Sequence, residues 1–328
     1  MTIRLTLACE RYDRTEALRD GRVRPAGVDL TYLPQQVEET FFRMARFREF
    51  DASEMSLSSY ALGVARGDSP FVAIPVFPSR FFRHSGIYVR SGSSVTHPSE
   101  LKGGVVGVAE WQLTANVWIR GILEDVYDLP ADAVSYRTGG LLEPGRPEKL
   151  KVDLQGRFDV TPIEDTQTLS AMLAAGEIDA IYSPRAPEGF EPGGPIRRLF
   201  ADSRAAEVDY FRETGIFPTM HVVAIRRDVY EENRWVARSL FNAFAEAKRL
   251  AEENFEETAA LRVMLPWYLD EAAATRELMG DDFWSYGLEP NRHVLETFLR
   301  YHHQQGLSAQ ELKPEELFAP ETLETTLV

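Results

Sequence analysis

Along the chain, short apolar runs alternate with longer stretches whose apolar positions recur three and four residues apart. Residues 3–8 set Ile3, Leu5 and Leu7 against Arg4 and Thr6, the two-residue period of a strand with one buried face. Further strands are expected at 28–33, 71–76, 86–89, 105–108, 134–136, 180–182 and 221–226. Helices are expected at 39–47, 58–66, 114–126, 168–175, 230–255, 271–278 and 291–305. Strands and helices in alternation predict an α/β fold with largely parallel sheets. No repeat of 20–50 residues and no low-complexity segment interrupts the pattern.

The pattern changes twice. Near residue 90, Ser91-Gly92-Ser93-Ser94 leads into His97-Pro98-Ser99-Glu100-Leu101-Lys102-Gly103-Gly104, which reads as a loop, a short helix opened by proline and a glycine stop. Near 210–220, Thr214-Gly215-Ile216-Phe217-Pro218 precedes a new strand. Two crossings imply a discontinuous first lobe, residues 1–85 and 220–328, with a second lobe, 86–219, inserted into it. A cleft between two such lobes is a usual ligand site, and the helical C-terminal extension is expected to pack on the first lobe.

Charge and cysteine content narrow the classes. The 328 residues carry 36 Lys and Arg against 51 Asp and Glu, a net charge of −15, which argues against a nucleic-acid partner and against an anionic membrane. The single cysteine, Cys9, precludes an internal disulfide and suits a reducing compartment. No basic start with an apolar run suggests a secretory signal, and no apolar run spans a membrane, so a cytoplasmic location is expected. No G-x-G-x-x-G, G-x-x-x-x-G-K-[ST], H-E-x-x-H, C-x-x-C or G-x-S-x-G occurs, so nucleotide, zinc-hydrolase and serine-hydrolase chemistry lose support.

Several segments carry a likeness. They are Tyr12-Asp13-Arg14-Thr15, Glu54-Met55-Ser56-Leu57-Ser58-Ser59-Tyr60, Phe71-Val72-Ala73-Ile74-Pro75-Val76-Phe77-Pro78-Ser79-Arg80, Phe82-Arg83-His84 and Trp118-Ile119-Arg120-Gly121. Thr138-Gly139-Gly140, Glu143-Pro144-Gly145-Arg146, Thr214-Gly215-Ile216-Phe217-Pro218 and Leu278-Met279-Gly280-Asp281-Asp282 extend it along nearly the whole chain. Together they resemble the 4,5-dihydroxyphthalate decarboxylase family. The resemblance implies a type II periplasmic-binding-protein-like fold, two α/β lobes with a hinge cleft and a helical C-terminal extension. It also implies non-oxidative loss of CO2 from a dihydroxylated aromatic dicarboxylate, leaving protocatechuate. The alternative on the same fold is a solute-binding protein for an aromatic carboxylate.

The chemistry of that reaction sets requirements. A bare aryl anion is too costly, whereas a deprotonated hydroxyl para to the carboxylate delivers charge to the carbon that must be protonated. A base, an acid and cations for the carboxylates are then needed; no redox cofactor is, and a divalent metal is not excluded. Arginine matches carboxylates in a bidentate way, and Arg14, Arg80, Arg120 and Arg146 all fall in the segments above. With 31 Arg among the 36 basic residues, each also has a solvated surface reading.

Histidine is the proton carrier near neutral pH, which singles out His84 and His221, each with an equal structural reading; His302 and His303 are expected to be solvated. Asp13 is either an assisting carboxylate or an N-cap near Thr15, and Glu110 is a second loop carboxylate or a rim charge. Phe81 and Trp111 offer rings to stack on a catechol, Ser58 and Thr114 donors at helix starts, and Gly139 a close backbone approach, against core and capping roles. Trp267-Tyr268 reads as core. The expected partner is a small aromatic dicarboxylate, with a second copy of the chain in a homo-oligomer.

Overall fold

The computed structural model describes residues 2–145 and 152–324. The chain begins with β1 (Ile3–Cys9), α1 (Asp13–Arg19), β2 (Val28–Pro34), α2 (Val37–Phe47), β3 (Ala52–Ser56), α3 (Leu57–Arg66) and β4 (Phe71–Ile74). It continues with β5 (Ile87–Arg90), β6 (Val105–Val108), α4 (Thr114–Tyr127), β7 (Ser135–Thr138), β8 (Val160–Pro162), α5 (Leu169–Ala175), β9 (Ala180–Tyr182), β10 (Ile196–Arg198) and α6 (Ser203–Thr214). It ends with β11 (His221–Arg226), α7 (Arg227–Glu232), α8 (Trp235–Glu252), α9 (Tyr268–Met279) and α10 (Arg292–Gln304).

Two units result. The first holds the residues up to Arg80, Thr219–Glu296 and the stretch from Lys313; the second holds Phe81–Pro218 and Thr297–Leu312. In the first, a five-stranded sheet runs β2-β1-β3-β11-β4. β1 is parallel to β2 and β3, while β11 lies antiparallel between β3 and β4, with His221 opposite Ser56 and Val223 opposite Glu54. Leu5, Leu7 and Ala8 of β1 and Leu240, Phe241 and Phe244 of α8 are buried, each large apolar side chain contributing about 1.5–3 kcal/mol. In the second unit, a six-stranded sheet runs β10-β5-β9-β6-β7-β8, with β5 antiparallel to both neighbours and the other pairs parallel. Leu169, Leu173, Ile178, Ile181 and Ile196 form its core cluster with Tyr88.

The sheets are thus mixed, not largely parallel. The strand pattern missed β3 because Ala52-Ser53-Glu54-Met55-Ser56 neither alternates nor is apolar, although its first four residues are buried. It missed β8 and β10, which are three residues each, and α6, in which Tyr210 alone is buried. The expected helix 230–255 is two, broken at Asn233, whose backbone (φ −142°, ψ 61°) leaves the helical region.

The C-terminal segment also departs from expectation. Thr297–Leu312 belongs to the second unit, not the first. Phe298 and Tyr301 pack against Trp118, with ring centroids 5.4 and 5.7 Å away. Gln305 is tied into the same place: its backbone oxygen accepts from Trp111 Nε1 (3.0 Å), its Oε1 from Arg120 Nε (2.8 Å), and its Nε2 donates to Val117 O (3.0 Å). Such buried polar groups need these partners, so the segment is fixed to α4 by satisfaction as well as by apolar area. No helix among the described residues is long and apolar enough to cross a membrane.

Candidate functional site

In the first unit the chemistry gathers around one buried carboxylate. Glu54 stands in the central strand β3 with no exposed surface. Its register places it diagonally from His221 on the same face, because residues two apart along a strand share a face. His221 Nδ1 lies 2.6 Å from Glu54 Oε1, and the Tyr12 hydroxyl donates to the same oxygen at 2.8 Å. The other oxygen accepts from the Glu10 backbone N–H at 3.2 Å and from the Cys9 thiol at 3.4 Å. Burial alone would push the Glu54 carboxyl up, but His221 and the hydrogen bonds of His221, Tyr12 and Glu10 together hold it below its ordinary value. An ionised carboxylate only accepts, so the His221 Nδ1 carries the proton of that contact.

The neighbouring groups follow from the same carboxylate. Burial and the Glu54 charge push the Tyr12 phenol and the Cys9 thiol up, so both remain protonated donors. The His221 ring is held edge-on by Phe41 at 4.8 Å and is 17% exposed, so Glu54 is sealed while the imidazole reaches the surface of its unit.

Arg14 lies sandwiched between Tyr12 and Trp284, its guanidinium 4.1 Å from each ring centroid. Its Nε donates to Pro78 O at 2.7 Å, its Nη2 to the same oxygen and its Nη1 to Asp13 Oδ1 at 3.0 Å. Three of the five N–H groups of a guanidinium are thereby used, and the ring stacking fixes the plane in which the others point. Asp13 is the first residue of α1, not its N-cap; Tyr12 holds that place. Asp13 is exposed and faces Arg14.

Arg80 and Ser58 are the other first-unit candidates, and the backbone before Arg80 adjoins the site, Ser79 O accepting from the His221 N–H at 3.3 Å. Arg80 is buried and donates to Ser285 O at 2.8 Å and to Asn291 Oδ1, and burial pulls its pKa down to about 10. Ser58 is buried in the first turn of α3, whose N-cap is Ser56. A pocket of about 460 Å³ lined by Tyr60, Val72, Arg227, Tyr230 and Phe318 involves none of these candidates.

The second unit holds the remaining candidates. His84 is buried among Tyr127, Phe200 and Tyr210, at ring distances of 5.7, 5.2 and 5.2 Å. Neither of its ring nitrogens has a hydrogen-bond partner among the described residues, and burial holds its pKa down to about 4. Arg120 is buried against Trp111, 3.8 Å from the ring, and its Nη2 donates to Trp111 O at 2.6 Å. Trp111 in turn packs on Tyr136 and Phe158 in the core, so the ring expected to meet a catechol meets protein. Glu110 is buried and accepts from Gln112 at 2.7 Å, so it is not a rim charge.

Thr114 opens α4, buried. Gly139 is small because a Cβ there would overlap the Ile163 side chain, a packing reason for the glycine. Phe81 is 55% exposed. Arg146 lies outside the described residues. His302 is buried, with Nδ1 3.3 Å from Ser308 Oγ, and His303 meets Ser308 O at 2.9 Å, so these two are not simply solvated. Trp267 is 68% exposed and is not core. Among the described residues, no three His, Cys, Asp or Glu side chains converge as metal ligands would.

The structure therefore brings His221, Asp13 and Arg14 together, and adds Glu54 and Tyr12, which sequence reasoning missed. The missed signal was a lone carboxylate between Ser53 and Met55 in a strand-length segment, at the start of a stretch that carried the family likeness.

No protein-family model matches the chain. A Candida albicans protein described as having the generic periplasmic binding protein fold aligns with a TM-score of 0.53 at 11% identity, covering 98% of each chain; that likeness shows the fold. A 4,5-dihydroxyphthalate decarboxylase of Comamonas testosteroni is 41% identical over 324 residues, 98% of each sequence. A second, from Pseudomonas putida, is 44% identical over 211 residues, 64% of this chain and 82% of its own length. With two mixed α/β sheets of the periplasmic-binding-protein type and this full-length identity, the chain belongs to the 4,5-dihydroxyphthalate decarboxylase family.

Proposed function

We propose that this protein removes CO2 from 4,5-dihydroxyphthalate and releases protocatechuate, in the cytoplasm, as a chain with one buried thiol suits. The observation that carries the reading is the 41% identity to a relative of that name across 98% of both sequences. The first-unit cluster supplies groups fit for the chemistry. His221 is the proton carrier: with Nδ1 committed to Glu54, its Nε2 is the nitrogen left to exchange protons with substrate. Arg14, held flat between two rings, is the cation that grips a carboxylate with its remaining N–H groups.

The steps balance without an oxidant. A base takes the proton of the hydroxyl para to the departing carboxylate, and the phenolate pushes electron density onto the carboxyl-bearing carbon. The imidazolium gives its Nε2 proton to that carbon, the carbon–carbon bond breaks, and its electron pair restores the aromatic phenolate as CO2 leaves. The phenolate then recovers a proton. The reading calls for no cofactor.

The test is direct. Purified protein dialysed against EDTA and given 4,5-dihydroxyphthalate should release CO2 and protocatechuate in equal amounts, and in D2O the product should carry one deuterium at the former carboxyl carbon. Absence of CO2 would refute the reading, and tight binding with unchanged substrate would favour the solute-binding alternative. His221→Gln should cut kcat by about a hundredfold; an unchanged kcat removes His221 from the chemistry.

A further inference from the structure

We infer that Glu54 is a positioning residue for His221, fixing one imidazole tautomer through a carboxylate oxygen that His221 shares with Tyr12. The inference rests on the proposed proton role of His221 and deepens it.

The geometry argues for a built device. A carboxylate with no exposed surface in a central strand is costly unless every lone pair direction is used. Here both oxygens are used. Oε2 is anchored to the chain by the Glu10 N–H and the Cys9 thiol, which sets the plane of the carboxylate. Oε1 takes two donors, His221 Nδ1 at 2.6 Å and the Tyr12 hydroxyl at 2.8 Å. The Glu10 anchor belongs to the loop that follows β1, and Tyr12 caps α1, so one loop holds the carboxylate from two sides.

An acceptor-only oxygen at Nδ1 excludes the tautomer with its proton on Nε2. The neutral ring therefore offers a lone pair at Nε2, and the charged ring offers an N–H there. A histidine free to choose either tautomer would present the wrong one part of the time. The edge contact of Phe41 restrains the ring plane and complements this choice. Tyr12 is the second claimant on Oε1, and its hydroxyl holds the carboxylate in place when the imidazole turns over its proton.

Glu54→Gln keeps the shape but replaces one acceptor by an NH2. The Glu10 backbone N–H is a fixed donor and selects the amide oxygen, which turns the NH2 towards Nδ1 and favours the tautomer with its proton on Nε2. The experiment combines steady-state kinetics with 15N spectra of protein labelled in histidine, the His221 signals being assigned by their loss in His221→Gln. In the wild-type protein, the neutral His221 ring should show a protonated Nδ1 and an unprotonated Nε2. In folded Glu54→Gln that preference should collapse, with kcat lower by about 10–100-fold and KM changed by less than about threefold. Tyr12→Phe should keep the tautomer and lose less than about tenfold in kcat.

Wild-type spectra with the proton on Nε2 would overturn the inference, and so would a folded Glu54→Gln protein with the wild-type tautomer and kcat. If Glu54→Gln does not fold, the wild-type spectrum decides. The tautomer is read without substrate, so a protein inactive on 4,5-dihydroxyphthalate with the expected spectrum fails the proposed function and leaves this device standing.

Discussion

His84 gives the sharpest separation between a chemical and a packing histidine. It is 1% exposed, ringed by Tyr127, Phe200 and Tyr210, and neither nitrogen finds a hydrogen-bond partner among the described residues. Burial holds the folded-state pKa down to about 4 from an ordinary 6.5. The sign follows from linkage: a group depressed in the folded state binds its proton first in the unfolded chain, so it costs stability as pH falls from 6.5 towards 4.

Integrating between pH 7.5 and 5.0 gives a loss of about 2 kcal/mol from this one residue, approaching about 3 kcal/mol at lower pH. Replacing it by Phe keeps a ring in an aromatic cage and removes the titration. At pH 7.5 the change should be within about 1.5 kcal/mol, relief of two unpaired nitrogens opposing slight overpacking. Urea unfolding of both proteins at the two pH values isolates the term, because every other titrating group is common to both. The wild-type protein should lose about 2 kcal/mol more than His84→Phe between them, and the variant should keep its turnover at pH 7.5. Equal losses would refute the reasoning, and a tenfold fall in turnover would return His84 to the chemistry.

Two further outcomes follow from packing. Gly121→Ala ordinarily helps a helix by about 1 kcal/mol, but its Cβ would overlap ring carbons of Tyr301, whose hydroxyl is pinned to Asp125 at 2.5 Å; a net loss of about 1–3 kcal/mol in urea unfolding is expected, and a gain would show that the ring moves aside. Cys9 is buried, and burial together with Glu54 pushes its pKa up, so the native protein should give no thiol to a disulfide reagent and one per chain after denaturation; rapid native labelling would contradict the packing around Glu54.

How much was legible in the sequence depends on what kind of regularity each part left there. β6, β9 and β11 were read from the sequence with their observed bounds, because each is a short apolar run between turn residues. The Ser-Gly and Gly-Ile-Phe-Pro tracts, read as crossings, both lie inside the second unit, whose first stretch runs Phe81–Pro218. The mixed sheets were not legible, since direction depends on where the chain returns: β11 re-enters between β3 and β4, and nothing local to His221–Arg226 says so. The place of Thr297–Leu312 was equally hidden, because the residues that hold it, Trp111, Trp118 and Arg120, lie almost two hundred positions earlier in the chain.

The site shows the same limit with more consequence. Residue type was enough to nominate His221 and Arg14, because few side chains move protons or grip carboxylates. Type alone also nominated Arg120 and Trp111, and these turn out to serve each other, stacked 3.8 Å apart in the second unit. What separates the two cases is the neighbour that completes each group. For Arg120 the completing atoms are a tryptophan carbonyl and Gln305, which close the guanidinium into the fold. For His221 the completing atom is one oxygen of Glu54, which meets Nδ1 and leaves Nε2 as the nitrogen that the proposed function employs. A carboxylate buried in β3 violates the pattern of a core strand, and local rules tend to break where function requires it. The violation at Glu54 is therefore what marks the candidate site, legible only once the register of β3 against β11 sets it beside the imidazole.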